Sequence, residues 1–151
     1  MNGEIVDPTS VFDPDRSIEY INKYVKSKNI TQKSMEKETG MRQSNISAML
    51  GGNPERRLTI DKIDGFARAI GRDWFEVFLG TDLDTSVIDR FHHDLDVMSS
   101  LTIGFMVPHP YKLEIRHDSV VSRPSEDEVM ESIISAAVSV YIRYHSGYKL
   151  W

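Results

Sequence analysis

No cysteine occurs among the 151 residues. That absence excludes a disulfide framework, a thiol nucleophile and a cysteine-based zinc site, and it fits a reducing compartment. No apolar run approaches the roughly 18–20 residues that a membrane-spanning helix needs. The first residues are acidic and polar, without the basic-then-apolar pattern of a secretory leader. Internal repeats, low-complexity tracts, a Gly-rich phosphate loop and a His-Glu-x-x-His metal motif are also missing. What is present, 40% hydrophobic and 27% charged residues, is ordinary for a soluble globular chain of one domain or two small ones. The expectation is a cytoplasmic protein that is not an enzyme, with no cofactor and no metal.

The formal net charge of −5 is unevenly spread. Residues 1–15 hold Glu4, Asp7, Asp13 and Asp15 and no base; residues 16–80 hold 12 Lys/Arg against 8 Asp/Glu; residues 81–151 hold 6 against 11. The middle segment is therefore basic between two acidic ones. Binding to a polyanion needs a local basic face rather than a basic whole.

At the centre of that segment lies Thr31–Gly52, TQKSMEKETGMRQSNISAMLGG. It predicts two short helices joined by a tight turn. Thr31 is placed to cap the first, and Gly40 stands where a left-handed residue would end it. The second carries Gln43 to Leu50, with Ile46, Met49 and Leu50 at i, i+3, i+4 facing inward. Gln43, Ser44, Asn45, Ser47 and Ala48 are left for the outer side and the amino-terminal end. Short amides and hydroxyls with no long carboxylate among them suit the reading of base edges in a major groove. Such a pair is a helix-turn-helix in outline.

On these residues the stretch resembles the Cro/cI-type (XRE-like) helix-turn-helix of phage repressors and bacterial transcriptional regulators, and GMRQSNISAML is similar to the recognition segment of lambda-type repressors. The resemblance covers about Arg16 to Gly80. It departs from the family at Glu36, where a small residue, mostly Ala, is usual, and at Arg42, where a small or hydroxyl residue usually precedes the second helix. The resemblance implies a five-helix, lambda-repressor-like domain that binds double-stranded DNA, and a dimer spanning a palindromic operator. Gln43, Ser44, Asn45 and Ala48 are then the base-reading candidates. Gln32 would contact a phosphate and brace Gln43, while Arg42, Asn53, Arg56, Arg57 and Lys28 are phosphate candidates that position without reading sequence.

The flanking segments complete a small all-α domain. Ile18, Ile21 and Val25 recur at helical spacing. Thr59 is expected to cap a helix with Ile60, Ile63, Phe66, Ala67 and Ile70 on its apolar face. Gly71 ends it, and Asp73 caps a last helix holding Trp74, Phe75, Val77, Phe78 and Leu79 as core. Residues 1–15, with two Asp-Pro pairs, are expected to form an acidic arm of little regular structure.

Residues 81–151 differ in character and predict a small, mainly helical α+β region for dimerisation or partner binding. Asp84 or Thr85 can cap a helix with Val87, Ile88, Phe91, Leu95 and Met98 on one stripe. Asp89, His92, His93 and Asp96 share another face, which is either a solvated surface or a metal-ligand set; no metal is expected. Tyr111–His117 alternates as a half-buried strand would. Ser125 with Glu128 makes a capping box. It opens a helix whose stripe is Val129, Met130, Ile133, Ile134, Ala137, Val138, Tyr141 and Ile142. This stripe is too long for a helix lying alone on water: it packs on the preceding helix, or on its copy in a second subunit, or on both. Two other readings stay open, an antitoxin that binds its toxin through residues 81–151, and a helix-turn-helix interaction module that no longer binds DNA.

Overall fold

The computed structural model describes residues 4–6, 11–102, 113–115 and 126–145. The chain divides into two compact units, residues 12–84 and residues 1–11 together with 85–151. The expected arm is thus divided. Glu4–Val6 is a strand (β1), whereas Asp13 and Pro14 belong to the start of the first helix. An Asp-Pro pair is as good a helix opening as a turn. Asp13 Oδ1 accepts from the Asp15 amide at 3.0 Å, and proline at the first helical position gives up an amide that had no partner anyway.

Residues 12–84 contain α1 (Pro14–Ser27), α2 (Gln32–Thr39), α3 (Gln43–Leu50), α4 (Ile63–Ile70) and α5 (Trp74–Leu79). Thr31 caps α2 as expected, its Oγ1 accepting from the Ser34 amide at 3.1 Å, and Gly40 ends it at φ +69°. Thr59 does not cap. Its hydroxyl donates to the Asp61 carboxylate, and the chain enters α4 through one 3₁₀ turn, Ile60–Lys62. A short carboxylate two residues on competes successfully for the hydroxyl. Asp73 caps α5 in a full capping box with Glu76.

The core gathers Ile21, Ile46, Ile63, Phe66, Phe75, Phe78 and Met35, all essentially inaccessible to water. Each fully buried aromatic or aliphatic side chain is worth about 1.5–3 kcal/mol. Phe12 and Trp74 stack on Phe78 at centroid distances of 5.7 and 4.8 Å, so Trp74 is core, as read from its spacing. Glu36 is exposed, and the tight approach of two helices occurs elsewhere, where α4 meets the end of α2 at Gly65. A Cβ at Gly65 would lie 2.8 Å from Thr39 Cα and 2.9 Å from the Glu38 carbonyl oxygen, which only glycine permits.

Polar side chains close the helix carboxy termini, whose last carbonyls have no intrahelical donor. From α1, Ser17 donates to the Phe78 carbonyl at 3.2 Å and Arg16 to that of Leu79 at 3.4 Å, both at the end of α5. Lys28 Nζ donates to the Ile70 carbonyl at the end of α4, at 2.8 Å. Arg68, from α4, donates to the Glu38 carbonyl near the end of α2, at 2.9 Å. Cations at these positions also meet the negative end of each helix dipole.

A polar cluster ties the segment after α5 to α1. Tyr20 and Tyr24 both donate to Asp82 Oδ1, at 2.8 and 2.6 Å, with Lys23 and Arg72 nearby. These donors hold the Asp82 carboxyl down at about 2 from its ordinary 3.8, the Tyr24 and Tyr20 hydroxyls contributing most. Arg72 also donates to Glu76 at 2.6 Å, and Glu76, only 2% exposed, accepts from the Leu83 amide as well. Burial and the bond to Asp82 push the Tyr20 phenol well above its usual range.

In the second unit, α6 (Thr85–Thr102) and α7 (Glu126–His145) lie against each other, and β1 pairs antiparallel with β2 (Leu113–Ile115), Glu4 opposite Ile115. The expected strand is therefore present as three residues. Buried Phe91 of α6 meets Tyr141 of α7 edge-on at 6.1 Å. The expected cap Ser125 lies outside the described residues, as do residues 111, 112, 116 and 117 of the expected strand.

Candidate nucleic-acid interface

The two middle helices set the site. Beyond Gly40, the Met41 amide donates to Thr39 Oγ1 at 3.2 Å, and the chain turns into α3 within two residues. Ile46 and Met49 of α3 are buried, at 0% and 7% exposure, so one face is committed to the core. Leu50, expected to join them, is only half-buried, because it lies in the last turn beside the exposed Gly51-Gly52.

The opposite face carries the predicted readers. Gln43 and Ser44 are exposed; Asn45 and Ala48 are half-buried; Ser47, which falls in line with Gln43 and Ser44 one turn on, is exposed. Exposure thus orders the five outward candidates, with Gln43, Ser44 and Ser47 foremost. At the start of α3, Arg42 places no side-chain acceptor on the first-turn amides, and its carbonyl takes the Asn45 and Ile46 amides at 3.0 Å each.

Basic side chains separate into two sets. Among the described residues of this unit, Arg16, Lys23, Lys62, Arg68 and Arg72 are engaged with carboxylates. Arg42, Arg56, Arg57, Lys33 and Lys37 are exposed and form no ion pair among the described residues. These five lie on α2, immediately before α3 and in the loop after it; Lys26 on α1 is exposed and outside any ion pair among the described residues as well. A cation without an internal carboxylate keeps its full charge available for an external anion.

Asn53 organises that loop. Its Oδ1 accepts from the Glu55 amide at 2.9 Å and its carbonyl from the Arg56 amide at 3.0 Å, a tight turn that presents Arg56 and Arg57 to solvent. Its side-chain oxygen therefore has an internal task, leaving the amide group for an outside contact. Gln32 is exposed at the opening of α2, and no hydrogen bond joins it to Gln43 among the described residues. Lys28 stands differently from the expectation of a phosphate ligand. Its ammonium closes the end of α4 and lies 5.2 Å from the Tyr24 ring centroid.

The stripe on α7 is also redistributed. Ile134, Ala137, Val138 and Ile142 are buried within the chain, and so are Ala136 and Val140, which sequence periodicity leaves off the stripe. Met130, Ile133 and Tyr141 are half-buried, and Val129 is 46% exposed. Packing on α6 accounts for part of this apolar surface without a second copy. Asp94, Val97 and Met98 of α6 line a shallow cleft with Glu131, Ser135 and Val138 of α7. Asp89, His92, His93 and Asp96 are all exposed, and no three potential ligands converge on a metal position among the described residues. No helix among them is long and apolar enough to cross a membrane.

Against known proteins, residues 20–73 match the family model for the Cro/C1-type helix-turn-helix DNA-binding domain. The match begins within α1 and ends at the cap of α5, so it takes in α2, α3 and the arginine-bearing loop. No curated protein and no solved structure matches the chain.

Proposed function

We propose that this protein, whose residues 20–73 are a Cro/C1-type helix-turn-helix DNA-binding domain, is a sequence-specific transcriptional regulator, a repressor of phage or prophage type acting in a bacterial cytoplasm. One observation carries the reading. The exposed polar face of α3 is flanked by Arg42, Arg56 and Arg57, three exposed cations of the unit that form no ion pair among the described residues, while Lys23, Arg68 and Arg72 are engaged with carboxylates. Gln43 and Ser44 read base edges, glutamine pairing with adenine N6 and N7 in the most favourable geometry. Asn45 adds a polar contact and the Ala48 methyl meets a thymine methyl. Arg42, Arg56, Arg57, Asn53 and Gln32 hold the backbone.

A single small module binds modestly, and joining two makes the second contact nearly intramolecular. The protein therefore works as a dimer on an inverted repeat, its half-sites about one helical turn apart. The exposed and half-buried part of the α7 stripe, Val129, Met130 and Ile133, is the surface left for the second copy. The acidic charge of residues 81–151 keeps that region off the phosphates.

Selection of bound duplexes from a random pool at a stated moderate salt concentration tests the reading. Recovery of an inverted repeat is expected. A single unrepeated half-site would remove the dimer, and no enrichment by folded protein would remove sequence-specific binding.

A further inference from the structure

We infer that Asn22, on α1, is a positioning residue for base reading: its side-chain amide locks the carboxy-terminal end of α3 and thereby sets the angle at which Gln43 and Ser44 are presented. The inference rests on the proposed base-reading role of α3 and deepens it.

The last four carbonyls of α3 can be accounted for individually. Gly51 donates its amide to the Ser47 carbonyl at 2.9 Å, Asn53 to that of Ala48 at 3.0 Å, and Gly52 to that of Met49 at 3.2 Å. These donors all come from the chain that follows the helix. The fourth carbonyl, Leu50, takes the Asn22 Nδ2 at 2.9 Å across 28 residues of sequence. Among the described residues this is the one side-chain hydrogen bond joining α3 to another helix. Beside it stands the apolar packing of α3 on the domain, in which Ile46 and Met49 are buried and Leu50 half-buried.

Those two kinds of contact constrain different things. Apolar burial is non-directional and tolerates rotation and tilt of a two-turn helix over its seat. A hydrogen bond is directional in distance and angle. At the opposite end Arg42 supplies no side-chain cap, so no directional side-chain bond at its N-cap fixes the reading end of α3. Fixing the far end of so short a rod from α1 is what limits its tilt. The rod is anchored in turn, since α1 is fixed by Ser17 on Phe78 and Lys28 on Ile70. A misplacement of about 1 Å at the reading end breaks bidentate geometry, whereas contacts to the flexible-tethered phosphates survive it.

The test uses the full chain with Asn22→Leu, which keeps shape and removes the donor without adding charge, and Asn22→Asp, which keeps shape and turns the donor into an acceptor. Affinities are measured for the selected duplex and for an unrelated duplex of equal length, at one salt concentration, beside thermal melts. The expected result for Asn22→Leu is a three- to tenfold loss in the ratio of specific to non-specific affinity, with non-specific binding within twofold of the parent. Asn22→Asp loses at least as much in that ratio. A purely structural role would lower both affinities together in step with the melting temperature, and that outcome overturns the inference. So does an unchanged ratio in both variants. If the parent shows no preferred duplex, the reading of α3 itself has failed, and that is seen before any variant is made.

Discussion

Helices α3 and α5 are both short, both in residues 12–84, and used in opposite ways. All six residues of α5 are buried, Glu76 included, and its amino end is closed by a complete capping box. In α3 two of eight are buried, the amino end has no side-chain cap, and its exposed positions are an amide and two hydroxyls. Both ends of α5 are closed internally, the amino end by its capping box and the Phe78 and Leu79 carbonyls by Ser17 and Arg16. A helix that serves a ligand leaves some of its polar groups unspent. Stability and recognition should therefore respond to mutation in separate places.

The largest effect should come from breaking α5. Phe78→Ala removes a fully buried ring stacked between Phe12 and Trp74, and it should cost about 3–5 kcal/mol in chemical denaturation, lowering DNA binding only through loss of folded protein. Glu76→Ala strips Arg72, the Asp73 capping box and the Leu83 amide of their partner; with Arg72 partly exposed, the cost should be about 2–3 kcal/mol, read by the same measurement. Gln43→Ala should do the reverse, leaving the melting temperature within experimental scatter while weakening the selected duplex by about 1–3 kcal/mol and relaxing one base position. If the preferred sequence survived Gln43→Ala unchanged, base reading would have to be moved off α3.

Arg57→Ala should weaken all duplexes alike and reduce the salt slope of log affinity by about 0.9, which a salt titration measures directly. The smallest effect concerns Asp82. Its folded pKa of about 2 lies below its ordinary 3.8. The stabilisation it gives is therefore complete above the ordinary value and is lost as the pH falls from about 4 towards 2. Denaturation of Asp82→Asn against parent at pH 6 and at pH 2.5 should show the two converging at the lower pH. A constant difference across that range would mean that the carboxylate charge contributes nothing to the latch.

Local signals in the sequence carried the helix-turn-helix well. Thr31, Gly40 and the Ile46/Met49 spacing act through bonds and contacts within a few residues, so the boundaries of α2 and α3 can be read before any tertiary contact exists. Where a residue's partner is remote, the reading stopped short. Lys28 is a surface lysine by spacing, and nothing nearby in sequence announces that the Ile70 carbonyl waits 42 positions away. Asn22 looks like any polar residue on a solvated helix face until α3 is placed beside it. Thr59 had a correct residue type for a cap and lost its hydroxyl to Asp61, a competition decided by geometry. The α7 stripe was recognised as apolar, but the burial of Ala136 and Val140 outside it shows contacts on more than one side, which a single period cannot express.

From its residues alone, this protein is a mostly helical chain with a basic middle segment, a capped two-helix turn and an outward row of Gln43, Ser44, Asn45, Ser47 and Ala48. These follow from side-chain chemistry and helical period, which need no knowledge of the rest of the fold. Tertiary structure alone decided which cations stay unpaired, which carbonyl each α1 side chain closes, and how much of α7 remains for another surface. Those are questions of what lies within about 3–4 Å, and in a folded chain such neighbours are set by packing between helices far apart in sequence.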